Sequence, residues 1–330
     1  MTGKFAANPL AMKSKWQPAA SFEMLIVRAR LLEKLREFMA GHGILEVETP
    51  MLVNAAVTDP HIKSFETDFQ YPGSRHIQKH FLHTSPEYAM KRLLASGSGP
   101  VYQICHVFRD NEIGKFHNPE FTMLEWYRPG YDHHQLMDEL DKLIQVLNFK
   151  PSQKKTYAEV FKEKTGIDPH IATLSELQKI AGDYGLTAQG DESAILLDFI
   201  FSHCVSDHLG HECPLMIYDF PASQSALARI RHTDPPVAER FELFINGLEI
   251  ANGFHELCDA GEQKKRFLQD NLKRERSCKP EVLIDEKFIA ALKHGLPPCA
   301  GVAVGVDRLL MVMHHCTDIH EVIAFPVDRT

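Results

Sequence analysis

Apolar residues recur three and four apart along "SFEMLIVRARLLEKLREFMAGHG". Leu25, Ala29, Leu32, Leu35 and Phe38 share one face at that spacing, which predicts an amphipathic helix. Ser21 suits its cap, and Gly41 or Gly43 its end. "ILEVETPML" then reads as a strand interrupted by Pro50. "TSPEYAMKRLLASG" reads as a short helix, with Ser85 at the cap and Pro86 at the first helical position. Glu87 falls in its first turn, where the helix dipole favours a carboxylate.

The period then drops to two. "PVYQICHVFRD" sets Val101, Gln103, Cys105, Val107 and Arg109 on one face, and "EFTMLEWY" does the same for Phe121, Met123, Glu125 and Tyr127. A polar loop of roughly ten residues joins them, a length that usually carries function or mobility. "PLMIYDFPASQ" is a further strand, and "RFELFINGLEIANGF" a hairpin with Asn246-Gly247 at its turn. "DAGEQKKRFLQDNLKRE" is a helix in which Asp259 and Glu262 fit a capping box. "GVAVGVDRLLMVM" is a glycine-spaced strand running into a helix. Residues 150–213 have no clear period and read as an insertion between two halves of one sheet. Hairpins and long connections, rather than regular crossover helices, separate the strands. The predicted class is therefore α+β, a mixed and mostly antiparallel sheet flanked by helices.

Composition narrows the classes further. The 330 residues are 44% apolar and 24% charged with no long apolar run, which suits a globular chain and not a membrane span. A net charge of −8 argues against extended nucleic-acid binding and leaves room only for a local basic patch. Seven scattered cysteines without a CxxC suggest reduced thiols in a cytoplasm. Residues 1–20 have no apolar segment of the secretory kind and read as a tail before a domain at 21–330.

Several constellations could carry chemistry. The phosphate loop GxxxxGK[ST] is absent, so any nucleotide site must be built differently. Arg109 offers a planar, permanently charged fork for phosphate, and Phe121 a flat face for a purine. An arginine in a surface ion pair beside a core phenylalanine fits the same residues. Glu249 and Glu256 would converge on Mg²⁺ if the chain turned at Asn252-Gly253; otherwise they are two solvated glutamates. Gly301 and Gly305 allow close approach to the backbone, and Arg308 at a helix start opposes the dipole unless an anion is near. "HCVSDHLGHEC" is rich in metal-binding types, but its spacing fits no standard zinc pattern. No Ser-His-Asp or Cys-His order stands out for covalent catalysis.

Taken together, the pieces resemble the catalytic domain of class II aminoacyl-tRNA synthetases. "GILEVETPML" is similar to motif 1, "FRDNEIGKFHNPEFTMLEWY" to motif 2 and "GVAVGVDR" to motif 3. "HNPEFTMLEWY" and the run from Ala251 to Phe267 resemble the lysyl-tRNA synthetase branch. "TSPEYAMKRLL", "FHNPEFTMLEWYRPGYD" and "FPASQSALA" are closer still to the elongation factor P–(R)-β-lysine ligases, paralogs without an anticodon-binding domain.

The resemblance implies an ATP-dependent, AMP-forming ligase with Mg²⁺, acting on (R)-β-lysine or lysine. Elongation factor P would be the acceptor, and motif 1 would form a homodimer interface. It implies that Arg109 contacts the α-phosphate and Arg308 the γ-phosphate, with Phe121 stacked on adenine. Asn111, Asn118, Glu249, Ile250 and Gly305 would line the nucleotide site, and Glu249 and Glu256 would hold the metal. Ser85, Pro86, Glu87, Asn252, Glu256 and Ala303 would meet the amino acid, and Glu125 and Tyr127 its distal ammonium. Two positions depart from the pattern. Asn111 stands where motif 2 carries Glu, and Ala303 where lysyl-tRNA synthetases carry Gly. Aminoacylation of tRNA and a non-catalytic regulatory role are the competing readings.

Overall fold

The structure is a computed structural model that describes residues 14–185 and 193–330. Helix α1 (Phe22–Gly41) starts where the Ser21 hydroxyl accepts the Met24 N–H at 3.1 Å. Its buried residues are Leu31, Leu35, Phe38 and Met39, whereas Ala29 is exposed and Leu32 half-buried. The packed face is thus rotated by about one position from the predicted one. Apolar residues lie on both sides of this helix, and only the partner surface decides between them. The expected strand around Pro50 is two short ones, β1 (Leu45–Glu46) and β2 (Leu52–Val53), in different sheets. β2 pairs with β4 (Ile77–Leu82), which also pairs with β3 (Glu66–Gln70), giving a small sheet that the pattern did not predict.

Helix α2 (Glu87–Ala95) begins one residue later than expected. Pro86 holds the cap position, and the Ser85 hydroxyl accepts the Glu87 N–H at 3.0 Å. β5 (Val101–Phe108) and β6 (Glu120–Pro129) form the expected antiparallel pair, with Gln103 opposite Glu125 and Val107 opposite Phe121. Helix α3 (His133–Val146) follows, with a complete Asp132–Gln135 capping box. Next come β7 (Gln153–Thr156), α4 (Tyr157–Thr165), α5 (Leu174–Asp183) and α6 (Ser193–Ile200). Tyr157, Phe161, Leu177, Leu197 and Phe201 pack there as a separate cluster on one edge of the main sheet.

The chain returns to that sheet through β8 (Leu215–Pro221), β9 (Ile230–Arg231), β10 (Val237–Ile245) and β11 (Leu248–His255). Asn246 and Gly247 turn the last hairpin with φ of 51° and 76°, the left-handed pair that tight hairpins need. Helices α7 (Ala260–Arg276) and α8 (Glu286–Gly295) precede β12 (Cys299–Gly305) and α9 (Val306–Met313). The box expected at Asp259 and Glu262 forms only by half. Asp259 accepts the Glu262 N–H, while the Glu262 carboxylate takes Arg266 instead.

The main sheet runs β1-β5-β6-β12-β11-β10-β8-β7, with β9 on β10. The β1–β5 and β7–β8 pairs are parallel and the others antiparallel, which is the predicted α+β class. One face is covered by α1, α3 and α9, through Leu35, Leu140 and Leu310 against Trp126, Phe241 and Val304. The other face carries the site.

β11 does not turn at Asn252-Gly253; it continues to His255. Instead its register slips, with Leu243 opposite Ala251 but Phe244 opposite Glu249, so Ile250 is an extra residue. Such a bulge reverses the alternation. Glu249, Asn252, Phe254 and Glu256 therefore face the same side. The predicted convergence fails all the same. Seven steps of extended chain separate the two glutamates by roughly 20 Å.

Candidate active site

Strand register lays a row of side chains across the open face: Gln103, Glu125, Ala303, Asn252 and Glu242, from β5, β6, β12, β11 and β10. The neighbouring row is Val101, Tyr127, Gly301 and Phe254. Gly301 has to be glycine. A Cβ there would lie 2.2 Å from the Tyr127 ring and 2.6 Å from Glu256 Oε1. Gly305 is under no such constraint, since the nearest atom to a Cβ would be the Ile250 carbonyl at 3.8 Å.

At one end of this face, three carboxylates gather around a buried lysine. Glu125 is 2% exposed and accepts from Tyr127 OH at 2.6 Å and from Ser85 Oγ at 2.7 Å. Burial pushes its carboxyl up to about 7, and the charge of Glu87 adds to the shift. Lys91, 1% exposed, donates to Glu87 Oε1 and lies against Glu256 Oε2, each at 2.5 Å. Burial opposes its charge, but Glu256 and Glu87 outweigh burial and raise its pKa. Glu256 is pushed up to about 8 by burial against the pull of Lys91, with Glu87 and Glu125 adding to the rise. A cavity of about 270 Å³ opens beside Ser85, Pro86 and Glu87, bounded by Ala55, His83 and Leu227.

The other end is basic. The Arg109 guanidinium lies 5.1 Å from the centre of the Phe121 ring, with Glu112 3.7 Å away. Arg109 thus has the ion-pair partner of the second reading, and its guanidinium rests on the ring face that the first reading gives to a purine. Arg308 donates to the Phe116 and Glu249 carbonyls at 3.2 and 3.1 Å, and pairs with His117 Nε2 at 2.6 Å. Burial and the charge of Arg308 hold His117 below the usual histidine range, consistent with a neutral acceptor. Protein carbonyls thus satisfy much of the cation that the sequence left unexplained. Asn111 is exposed with φ of 69°, a left-handed position that asparagine tolerates well.

Some expected site residues have other employment. Asn118 is 4% exposed, donates to the Glu120 carbonyl and accepts the Val327 N–H, so it clips the C-terminal segment to the hairpin. The Ile250 side chain lies in the core, leaving only its backbone near Gly305. Glu249 and Glu256 cannot share a cation, because both carboxylates would need an oxygen within about 2.1 Å of it. Glu256 is also engaged by Lys91. Glu249 does have oxygen-bearing neighbours in Asn252 and Glu242. Burial pushes Glu242 up to about 7 despite Arg240, and the charge of Glu249 contributes. Arg240 pairs with Glu242 and donates to Asn252 Oδ1 at 3.3 Å, so two carboxylates face one guanidinium, and the remaining negative charge fits a hard cation at Glu249, Asn252 and Glu242.

The family described as tRNA synthetases class II (D, K and N) matches residues 15–329. The chain belongs to this family. Among its relatives is the elongation factor P–(R)-beta-lysine ligase of Pasteurella multocida, 48% identical over 96% of this chain and 99% of that protein. Proteins of the same description from Photobacterium profundum and Edwardsiella ictaluri are also 48% identical, over 96% of this chain and 99% and 98% of their own lengths.

Lys91, Glu242 and His117 escaped the sequence reading, and the alternation places Gln103 on its strand face without giving it a role. Lys91 did leave a trace: it follows Glu87 by four residues, one helical turn, between the buried positions Met90 and Leu94. Glu242 left none, since only cross-strand register puts it beside Asn252. The run from His203 to Cys213 does not form a metal-binding cluster among the described residues. Nor is any helix among them long and apolar enough to cross a membrane.

Proposed function

We propose that this chain is an ATP-dependent ligase that activates (R)-β-lysine as its adenylate and transfers it to the ε-amino group of a lysine on elongation factor P. The observation that carries this reading is the charge balance at Ser85–Glu256. Three carboxylates face one buried ammonium, which leaves two negative charges when all are ionised. β-Lysine, like α-lysine, brings two ammonium groups, so the balance supports a diammonium amino acid. Likeness over nearly the whole length of ligases named for this reaction supports the same substrates.

In the first step a β-lysine carboxylate oxygen attacks the α-phosphorus of ATP, and pyrophosphate leaves. Arg109 stabilises charge on the α-phosphate, Arg308 binds the γ-phosphate, and Phe121 stacks on adenine. Asn111, Asn118 and the backbone at Ile250 and Gly305 border the nucleotide. Glu125 and Tyr127 take the distal ammonium in a dry environment, where charge-assisted hydrogen bonds are strong. Ser85, Pro86, Glu87, Asn252 and Glu256 border the other end of the amino acid, and Ala303 forms the floor. In the second step the acceptor amine attacks the adenylate carbonyl, an amide forms, AMP leaves and the amine loses its proton. Mg²⁺ is assigned to Glu249 with Asn252 and Glu242, where it neutralises phosphate charge when bound. The protein's task is positioning and electrostatics.

The test is ATP–pyrophosphate exchange with α- and β-lysine, followed by transfer to elongation factor P or to tRNA. The reading requires β-lysine-dependent exchange and labelling of the protein. Charging of tRNA instead would overturn it, and so would absence of exchange. Arg109→Ala should reduce exchange about 10²–10³-fold, the usual loss for one electrostatic stabiliser.

A further inference from the structure

On the sheet face opposite the active site, His133, Asp219, Glu239 and His255 come together from α3, β8, β10 and β11. His133 is 1% exposed, and neither ring nitrogen has a hydrogen-bond partner. A buried imidazole is not normally left in that state. Its Nε2 lies 3.7 Å from Asp219 Oδ1, which is also buried and unpartnered. That separation is too long for a hydrogen bond. It is close to the roughly 3.4 Å between two donors on one tetrahedral centre with 2.0–2.1 Å bonds. Ligand atoms of His133, Glu239 and His255 all lie within 4.8 Å of one another.

The carboxylates are already oriented from outside. Arg231 holds Asp219 Oδ2 at 2.6 Å and approaches Glu239 Oε1 at 3.5 Å. Asp219 Oδ1 is left turned toward His133, while Glu239 Oε2 shares a 2.6 Å hydrogen bond with His255 Nδ1 and has Arg229 3.8 Å away, so a bound metal would replace that hydrogen bond. Carboxylate ligands commonly have such outer partners. We infer that His133, Glu239 and His255 bind one divalent cation of the zinc class, with Asp219 beside His133 as a neighbouring acceptor. Two imidazoles select Zn²⁺, Co²⁺ or Ni²⁺ over Mg²⁺ or Ca²⁺. Three protein donors hold the cation on the sheet face away from the nucleotide, so its role is structural. It pins the start of α3 to the end of β11, the strand whose other face carries Asn252 and leads to Glu256.

The test uses the full chain, stripped of metal by chelator dialysis and titrated with Co²⁺ and then Zn²⁺ alone. One Co²⁺ per chain should bind with the visible bands of a tetrahedral site, and Zn²⁺ should displace it. His133→Gln and Glu239→Gln should each weaken binding at least about tenfold while leaving Mg²⁺-supported pyrophosphate exchange unchanged. Circular dichroism identifies any variant that fails to fold, and the other variant then decides. Absence of stoichiometric Co²⁺ binding would overturn the inference, as would equal binding by a folded variant. Because the metal readout is independent of exchange, it stands or falls apart from the proposed activity.

Discussion

Glu125 and Glu256 are carboxyls kept close to neutrality by burial and by each other's neighbours, with values near 7 and 8. An incoming diammonium substrate favours their ionised forms. The KM for β-lysine should therefore fall as pH rises from about 6 to 8.5, measured by pyrophosphate exchange. Stability has the opposite sign. A carboxyl whose folded pKa is raised stabilises the fold below its unfolded value near 4.5 and loses that contribution as pH rises through 7–8. The unliganded Tm should thus drop over this range, and the rise in Tm given by β-lysine should grow. Ala303 lies between Glu125 and Asn252 in the same row. Ala303→Gly should shift the β- to α-lysine ratio of kcat/KM toward α-lysine by about 10–200-fold, the effect of one methyl group in a tight site. An unchanged ratio would remove Ala303 from specificity.

At the scale of elements, the site depends on how motif-bearing segments are tied together. The Asp307 carboxylate, 2% exposed, accepts the Thr122 N–H of β6 at 2.7 Å and Arg28 of α1 at 2.6 Å. Arg28 also donates to the Thr122 hydroxyl. One residue thus joins α1, β6 and α9. Asp307→Ala leaves a partly buried arginine without its counter-charge, and should cost about 3–5 kcal/mol in urea unfolding. Exchange should fall with it, since Arg308 is the next residue. The alternation of β5 and β6 was legible because those strands are regular, so Phe121, Glu125 and Tyr127 could be placed on one face from sequence. β11 was not legible in the same way. Its bulge at Ile250 depends on pairing with β10, and counting along one strand cannot reveal a slip against another.

At the scale of the molecule, α1 and β1 leave apolar side chains in solvent. Phe22 is 73% exposed, Ile26 54% and Leu45 58%, and β1 is an edge strand. Apolar surface beside an open edge needs cover. We propose that a second copy supplies it, in a homodimer. Light scattering after gel filtration should give twice the chain mass, and Ile26→Asp should give monomer. If that variant keeps the dimer mass, the interface lies elsewhere.

Local pattern determined much of this protein. Period-two runs specified β5 and β6, Asn246-Gly247 specified the hairpin, and the glycine-spaced run specified β12 and its helix, because each rests on near-neighbour geometry. Tertiary structure decided what depends on distant partners. It selected which face of α1 is buried and divided the Pro50 region between two sheets. It also separated Glu249 from Glu256. Lys91 became the counter-ion of Glu87 and Glu256, and His133 came to face Asp219, Glu239 and His255. Most of these groups are far apart in sequence, and where they are charged and buried, burial turns their proximity into a strong electrostatic interaction that a local window does not contain.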